Sequence, residues 1–85
     1  MIVPNRSKSL KQAFGRRLKD RRVKRGLSQE ELADQSGLHR TYISQIERGL
    51  KSPTLATIYA IASALEEDAG NLISALIPRR SVLRS

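Results

Sequence analysis

Residues 28–47 constrain the fold more than any other part of this 85-residue chain. Ser28 and Glu31 have the spacing of a capping box, in which each side chain satisfies a free backbone donor of the other residue and starts a helix. Gly37 can take the left-handed backbone conformation that ends such a helix. Leu38 then opens a second apolar stripe. The segment therefore predicts two short helices joined by a tight glycine turn, a helix-turn-helix.

The second helix of this unit is predicted to be amphipathic. Ile43 and Ile46, with Leu38, recur at the spacing that buries one stripe of a helix. A polar helix presented in this way is typical of DNA reading in the major groove, where Arg can bind guanine and Gln can bind adenine in a bidentate manner. The alternative is a set of ordinary solvated side chains. The candidate base-contacting residues are Arg40, Thr41, Ser44 and Gln45, with His39 more peripheral.

Other residues near this unit are candidates for phosphate contacts. Gln29 lies in the first turn of its helix, where backbone donors and the helix dipole favour a phosphate oxygen, although it could be a plain helix-start residue. Tyr42 could hold phosphate through its hydroxyl or pack its ring on the edge of the core. Arg48 and Lys51 are basic candidates that follow the polar helix.

Arg22 and Glu47 form a candidate ion pair between helices. Arg22 lies close to the apolar stripe of the first helix, and Glu47 follows Ile46 at the end of the polar helix. A buried pair would fix the angle at which the two helices cross, and the alternative is two exposed charges.

Composition narrows the function classes. The net charge is +8, and ten of the sixteen Lys and Arg residues precede Leu27, which favours a polyphosphate partner. With one His and no Cys, the chain offers no nucleophile and base pair, no metal cluster and no glycine-rich phosphate loop, so we expect no enzyme, cofactor, metal or small-molecule ligand. No segment suits a membrane span or a signal peptide, and a cytoplasmic protein is expected.

The remaining segments predict an all-α domain over residues 9–77. We expect a flexible arm over residues 1–8, then a helix from near Ser9 to about Lys24 with its apolar stripe at Leu10, Phe14 and Leu18. Thr54 is a candidate N-cap for a fourth helix. Its predicted inward residues are Leu55, Ile58, Ile61, Ala62 and Leu65.

A short fifth helix is predicted to start at Asp68 and to end before Pro78, leaving a basic tail over residues 78–85. Its apolar residues have little core left to cover, so they are candidates for a dimer interface. Packing on the fourth helix is the alternative. These residues are Leu72, Ile73, Leu76 and Ile77.

From about Phe14 to Leu76 the chain resembles the Cro and phage-repressor family of helix-turn-helix regulators, also named for the xenobiotic response element. The matching positions are residues 15–18, Arg22, residues 25–33, residues 37–38, residues 43–49, residues 52–55, Ile61, Ala62, Ala64 and Leu65. Within the family, residues 39–44 look most like controller proteins of restriction-modification systems.

This resemblance implies a five-helix, lambda-repressor-like domain that binds near-palindromic double-stranded DNA as a homodimer and regulates transcription. It also implies that bases are read by Arg40, Thr41 and Gln45. By the same resemblance, Gln29 would contact phosphate, and Arg22 with Glu47 would be the family's ion pair between helices. RNA polymerase is a candidate partner. Two residues depart from the pattern. Arg21 replaces a usual apolar residue, which predicts a wetter edge of the first helix, and Glu66 replaces a common Gly, which predicts an altered turn.

Two other functions compete with this interpretation. The cationic first helix could lie on a membrane surface, but that leaves residues 28–47 without a role. The same fold could also serve as a protein-binding module, such as an antitoxin. Duplex binding, vesicle pelleting and co-purification of an unrelated chain would separate the three.

Overall fold

A computed structural model describes residues 6–76, and all the regular secondary structure within them is helical. The helices are α1 (Arg6–Lys24), α2 (Gln29–Ser36), α3 (Arg40–Glu47), α4 (Leu55–Leu65) and α5 (Ala69–Ile73), followed by a 3-10 turn (Ser74–Leu76). The first helix thus begins at Arg6, three residues earlier than Ser9. Arg and Lys are good helix formers, and no proline lies between Arg6 and Ser9 to prevent the earlier start. The rest of the predicted arm and the tail lie outside the described residues.

Capping places the ends of the helices close to where the sequence predicts them. Ser28 accepts a hydrogen bond from the Glu31 backbone N–H, and the Glu31 side chain accepts one from Ser28, so the capping box is confirmed. Gly37 ends α2 with φ of 75°. Thr54 caps α4 by accepting from the Thr57 backbone. Asp68 stands at the N-cap of α5 but makes no side-chain capping bond.

The core lies where α1, α3 and α4 meet α2 and α5. Its buried members are Phe14, Leu18, Leu32, Ala33, Ile43, Ile46, Ile61, Ala62, Leu65 and Leu72. Two residues predicted to be inward are exposed instead: Leu10 on α1 and Leu55, the first residue of α4. Both follow the helical periodicity, but each lies toward the N-terminal end of its helix, past the edge of the core. No described helix is long and apolar enough to cross a membrane.

Gly15 allows α1 to approach the end of α3 very closely. A Cβ atom built at Gly15 would lie 2.6 Å from the Glu47 carbonyl oxygen and still nearer to that of Ile46. Real Cβ atoms essentially never come so near a backbone oxygen, and neither helix backbone can yield as a flexible side chain would. The crossing of these two helices therefore requires glycine at this position.

Arg21 on α1 binds the turn between α4 and α5. Arg21 binds Glu67 with Nη2 to Oε2 and Nε to Oε2 distances of 2.7 Å each, so this edge of α1 is paired rather than wetter as predicted.

The turn residue before Glu67, Glu66, adopts φ of 58° and ψ of 44°, the left-handed conformation that glycine usually supplies at a helix end. The prediction of an altered turn is therefore wrong: the backbone conformation is kept, at a cost of about 1 kcal/mol for a residue with a Cβ.

The Arg21 contact changes the acidity of Glu67. Burial on its own would raise the pKa of this carboxyl, and it is the largest single influence. Hydrogen bonds donated by Arg21 and Asn71, together with the charges of Arg21 and Arg17, outweigh burial and hold the pKa below its ordinary value of 4.5. The pair therefore contributes stability in the charged form of Glu67.

We predict that Gly15→Ala lowers the free energy of unfolding by about 3 kcal/mol or more, at or above the top of the usual range for overpacking, because backbone rather than side chain must move. Urea unfolding followed by circular dichroism measures the change. Gly70→Ala is the matched control, since Gly70 is helical and a Cβ added there would meet nothing within 4 Å, so we expect it to be neutral or stabilising. Equal effects of the two variants would contradict this account of the helix crossing.

The lowered pKa of Glu67 also predicts a pH dependence. The stabilisation is fully present when the pH is above 4.5, the ordinary pKa of a Glu side chain. It is lost as the pH falls through the lower pKa that Glu67 has in the folded protein. The difference in unfolding free energy between the wild type and Glu67→Gln should therefore be largest near neutral pH and should shrink as the pH falls below 4.5. Glu30→Gln, which removes an exposed carboxylate, controls for net charge. A difference that stays constant with pH would show that the ionised pair contributes nothing.

Candidate nucleic-acid interface

The outward side of α3 forms a continuous polar face. Ile43 and Ile46 are fully buried beneath it, and they hold the helix on the core. Residues three, four and seven apart lie side by side on a helix, so the polar positions share one surface. This α3 face consists of Arg40, Thr41, Ser44, Gln45 and Arg48.

The structure brings the predicted base-contacting residues together at this face. Arg40 and Thr41 are exposed in the first turn of α3, and Ser44 and Gln45 are half-buried one turn later. His39 is exposed at the N-cap position and makes no side-chain capping hydrogen bond. Four of these residues thus share the outward face of a short helix, with the most exposed ones at its N-terminal end, and His39 directly precedes them.

The candidate phosphate residues have different environments. Arg48 and Lys51 are exposed after the end of α3, and neither forms an ion pair with another described residue. Tyr42 is half-buried and packs against the core, which favours the packing alternative for its ring. The Gln29 Nε2 atom donates to Glu47 Oε1 at 3.0 Å. That nitrogen carries a second N–H, so a contact with phosphate is compatible with this bond.

Arg22 and Glu47 form the predicted ion pair beneath this surface. The Nε and Nη2 atoms of Arg22 lie 2.6 and 3.1 Å from the two carboxylate oxygens of Glu47, a bidentate arrangement. Their side chains are only 10% and 3% exposed. Arg22 Nη1 also donates to the Leu27 carbonyl at 2.7 Å. The pair thus joins α1, the loop before α2 and the end of α3, and Gln29 adds a link to α2 that the sequence did not predict.

The predicted dimer residues on the last helix are mostly taken up by the core. Leu72 is fully buried, so its assignment to a partner-facing surface is wrong for this structure, because α5 turns that side chain into the space between α1 and α4. Leu76 is half-buried and also packs on the core, whereas Ile73 is half-buried outside it. Ile77 lies outside the described residues. The alternative that the sequence left open, packing within the monomer, describes Leu72 and Leu76 better.

The sequence did not predict the two large apolar side chains that α4 exposes. Leu55 and Tyr59 stand one helical turn apart and are 77% and 72% exposed. One feature of the sequence could have indicated them, since α4 has no Lys, Arg, Asp or Glu. In a strongly basic chain, a helix without charge is suited to contact with another apolar surface.

We predict that Arg22→Met lowers the free energy of unfolding by about 3–5 kcal/mol, because it leaves the buried Glu47 carboxylate without its cation. The double variant Arg22→Met and Glu47→Leu should cost less than either single change, since no unpaired charge remains. Urea unfolding measures all three. Lys24→Ala, which breaks an exposed pair with Asp20, is the control and should cost about 0.5 kcal/mol or less. A similar cost for Arg22→Met and Lys24→Ala would contradict the role given to the buried pair.

Comparison with known proteins agrees with this geometry. A helix-turn-helix family model, HTH_3, matches residues 18–70. The chain is 38% identical over 65 residues to control protein C.SmaI of Serratia marcescens, a match that covers 76% of this chain and 77% of that protein. It is 36% identical over 70 residues to the immunity repressor protein of Bacillus phage phi105, covering 82% of this chain and 46% of that protein.

A solved structure gives the same picture. The restriction-modification controller protein C.AhdI from Aeromonas hydrophila superposes with a TM-score of 0.72 at 42% identity, over 73% of this chain and 94% of that one. The five helices and their lambda-repressor-like arrangement are therefore those of known controller structures. The chain belongs to the HTH_3, or xenobiotic response element, family of helix-turn-helix DNA-binding transcriptional regulators, which are not enzymes.

Proposed function

We propose that this protein binds a specific, near-palindromic double-stranded DNA operator as a homodimer, with α3 in the major groove. The observation that carries the proposal is the α3 face, whose polar side chains point outward while Ile43 and Ile46 fix the helix from below. Donors near the N-terminal end of such a helix reach base edges. Arg40 would read guanine and Gln45 adenine, with Thr41, Ser44 and His39 as neighbouring contacts.

The charge distribution around α3 supports binding to phosphate. Arg40, Arg48 and Lys51 are exposed positive charges on or just after the helix, and Glu47, the acidic residue of α3, is buried against Arg22. The α3 surface therefore presents positive charge without a compensating exposed carboxylate of its own. Such a surface gains affinity from the release of counterions condensed on DNA.

A homodimer follows from what one helix can read. A single recognition helix contacts only a few base pairs, and a two-fold dimer presents two such helices about 34 Å apart to a palindromic site. We propose that Leu55 and Tyr59 of α4 form the centre of the dimer contact, with Ile73 as a further candidate. Leu55 and Tyr59 are apolar and exposed, Ile73 is half-buried, and α4 adds no positive charge that would repel a second copy.

The similarity to control proteins supports a finer proposal, that the protein controls a restriction-modification operon. C.AhdI is named a restriction-modification controller protein and superposes over most of its length, and C.SmaI is named a control protein. In this role the dimer would act near a promoter, with RNA polymerase as a candidate partner. The antitoxin alternative would instead be supported by co-purification of an unrelated chain that blocks duplex binding.

For DNA binding, we predict that Arg40→Ala and Gln45→Ala each reduce the preference for the cognate duplex by about 1–3 kcal/mol and relax one base position. Lys51→Ala should instead lower affinity for all sequences and reduce the slope of log affinity against log salt by about 1. Competition binding at several salt concentrations measures both. Lys24→Ala removes the same charge from α1 and is the control. Unchanged sequence preference in both α3 variants would refute the assignment of base contacts.

For assembly, we expect the wild type to be a dimer and the variant Leu55→Ser with Tyr59→Ser to raise the dimer dissociation constant by at least about tenfold, or 1.4 kcal/mol. Sedimentation equilibrium measures the constant. Val23→Ser removes another exposed apolar side chain, on α1, and is the control. A double variant that dimerises as well as the wild type would place the interface elsewhere and make Ile73 the next position to change.

A further inference from the structure

Two arginines of α1 and Arg25, the residue after its end, bind the turn that follows α4 or the helix α5. Arg17 donates to the carbonyl oxygen and the Oδ1 atom of Asn71 at 3.1 and 2.9 Å. Arg21 binds Glu67 at 2.7 Å, and Arg25 binds Glu66 at 3.1 Å. Positions four residues apart lie in line on a helix, so these contacts form one row, which we call the α1 brace: Arg17, Arg21, Arg25, Glu66, Glu67 and Asn71.

The centre of the α1 brace is its best-shielded contact. The side chains of Arg21 and Glu67 are 26% and 9% exposed, whereas those of Arg25 and Glu66 are 40% and 74% exposed. Water and salt screen the outer pair much more than the inner one. Glu67 also accepts a hydrogen bond from Asn71 at 2.7 Å, so both its oxygens are engaged. Arg21 and Glu67 therefore hold this turn most firmly.

The backbone at the α1 brace is also constrained. Glu66 is the only non-glycine residue with a positive φ in the described part of the chain. A residue with a Cβ persists in this conformation only where its surroundings over-determine it, and such outliers often mark positions with a functional role. Here the following residue is tied to α1 by Arg21, so the end of α4 is fixed in both conformation and position.

The same turn of α1 also holds the recognition helix. Arg22, the neighbour of Arg21, binds Glu47 at the end of α3, while Arg21 binds Glu67, which lies just after the end of α4. The proposed dimer contact, Leu55 with Tyr59, lies on α4. Two adjacent arginines thus connect the DNA-reading element and the assembly element through one rigid helix.

We propose that Arg21 and Glu67 are positioning residues that set the angle between the recognition helix and the dimer contact, and so select the half-site spacing that the dimer accepts. This inference rests on the proposed function, since it needs a dimer that reads two half-sites. Neither residue needs to touch DNA. Loosening the pair lets the end of α4 shift on α1, so the two recognition helices no longer meet the grooves at a single separation.

The test measures binding to a series of duplexes in which the spacing between two half-sites is changed one base pair at a time. The half-sites are those selected by the wild-type protein from a random pool. The wild type should prefer one spacing, and the variant Arg21→Met with Glu67→Gln should lose about tenfold of that preference. Its affinity for a duplex with a single half-site should stay unchanged, because the α3 face is intact.

Two controls separate positioning from loss of stability. Asp20→Asn with Lys24→Met removes an ion pair within α1 that reaches no other helix, and its spacing preference should match the wild type. The exchange Arg21→Glu with Glu67→Arg restores opposite charges and should recover most of the preference, which a merely destabilised protein would not do. Unfolding curves for each variant confirm that all are folded at the assay temperature.

The outcomes distinguish this inference from the proposed function. A wild type that binds DNA with no spacing preference would overturn both the dimer proposal and the positioning role. A wild type with a sharp preference that Arg21→Met with Glu67→Gln fully retains would overturn the positioning role alone.

Discussion

The crossing of α1 and α3 is the constraint on which the rest of the structure depends. Gly15 brings the two backbones into a contact that no side chain would permit, and the buried pair of Arg22 with Glu47 fixes the angle beside it. A buried pair of this kind adds little net stability. A different crossing angle would leave the two buried charges unpaired, which is costly, so the pair disfavours alternative packings of the two helices. The recognition helix is thereby presented by a rigid support rather than by a flexible loop.

The positive charge of the chain is divided between contacts inside the monomer and the surface near α3. Arg17, Arg21 and Arg22 of α1 each bind a described partner on another element, and Arg25, just after α1, does the same. The exposed charges at Arg40, Arg48 and Lys51 lie on or near α3 instead. A basic net charge alone would favour any polyphosphate, whereas these three charges stand beside the side chains proposed to read bases.

Local rules made much of this fold predictable from sequence. The capping box at Ser28, the turn at Gly37 and the apolar stripe of α3 depend on residues only a few positions apart, and the structure confirms them. The ion pair of Arg22 with Glu47 could be proposed because each residue lies next to a predicted buried stripe. The face of α3 followed for the same reason, although which of its residues touch DNA stays a prediction.

Features that depend on where the core ends were not predictable in this way. Leu55 follows the same periodicity as its buried neighbours, yet it is exposed because the first turn of α4 extends past the core. Leu72 was assigned to an interface, yet α5 directs it inward. The pairing of Arg21 with Glu67 joins residues 46 positions apart, a contact that periodicity along one helix cannot reveal.

Selection of bound duplexes from a random pool by the wild-type protein tests the central claim, that the α3 face reads DNA, most directly. The account predicts enrichment of two half-sites related by two-fold symmetry, with centres about one helical turn of DNA or a multiple of it apart. A bound pool with the same base composition at every position as the input would contradict it.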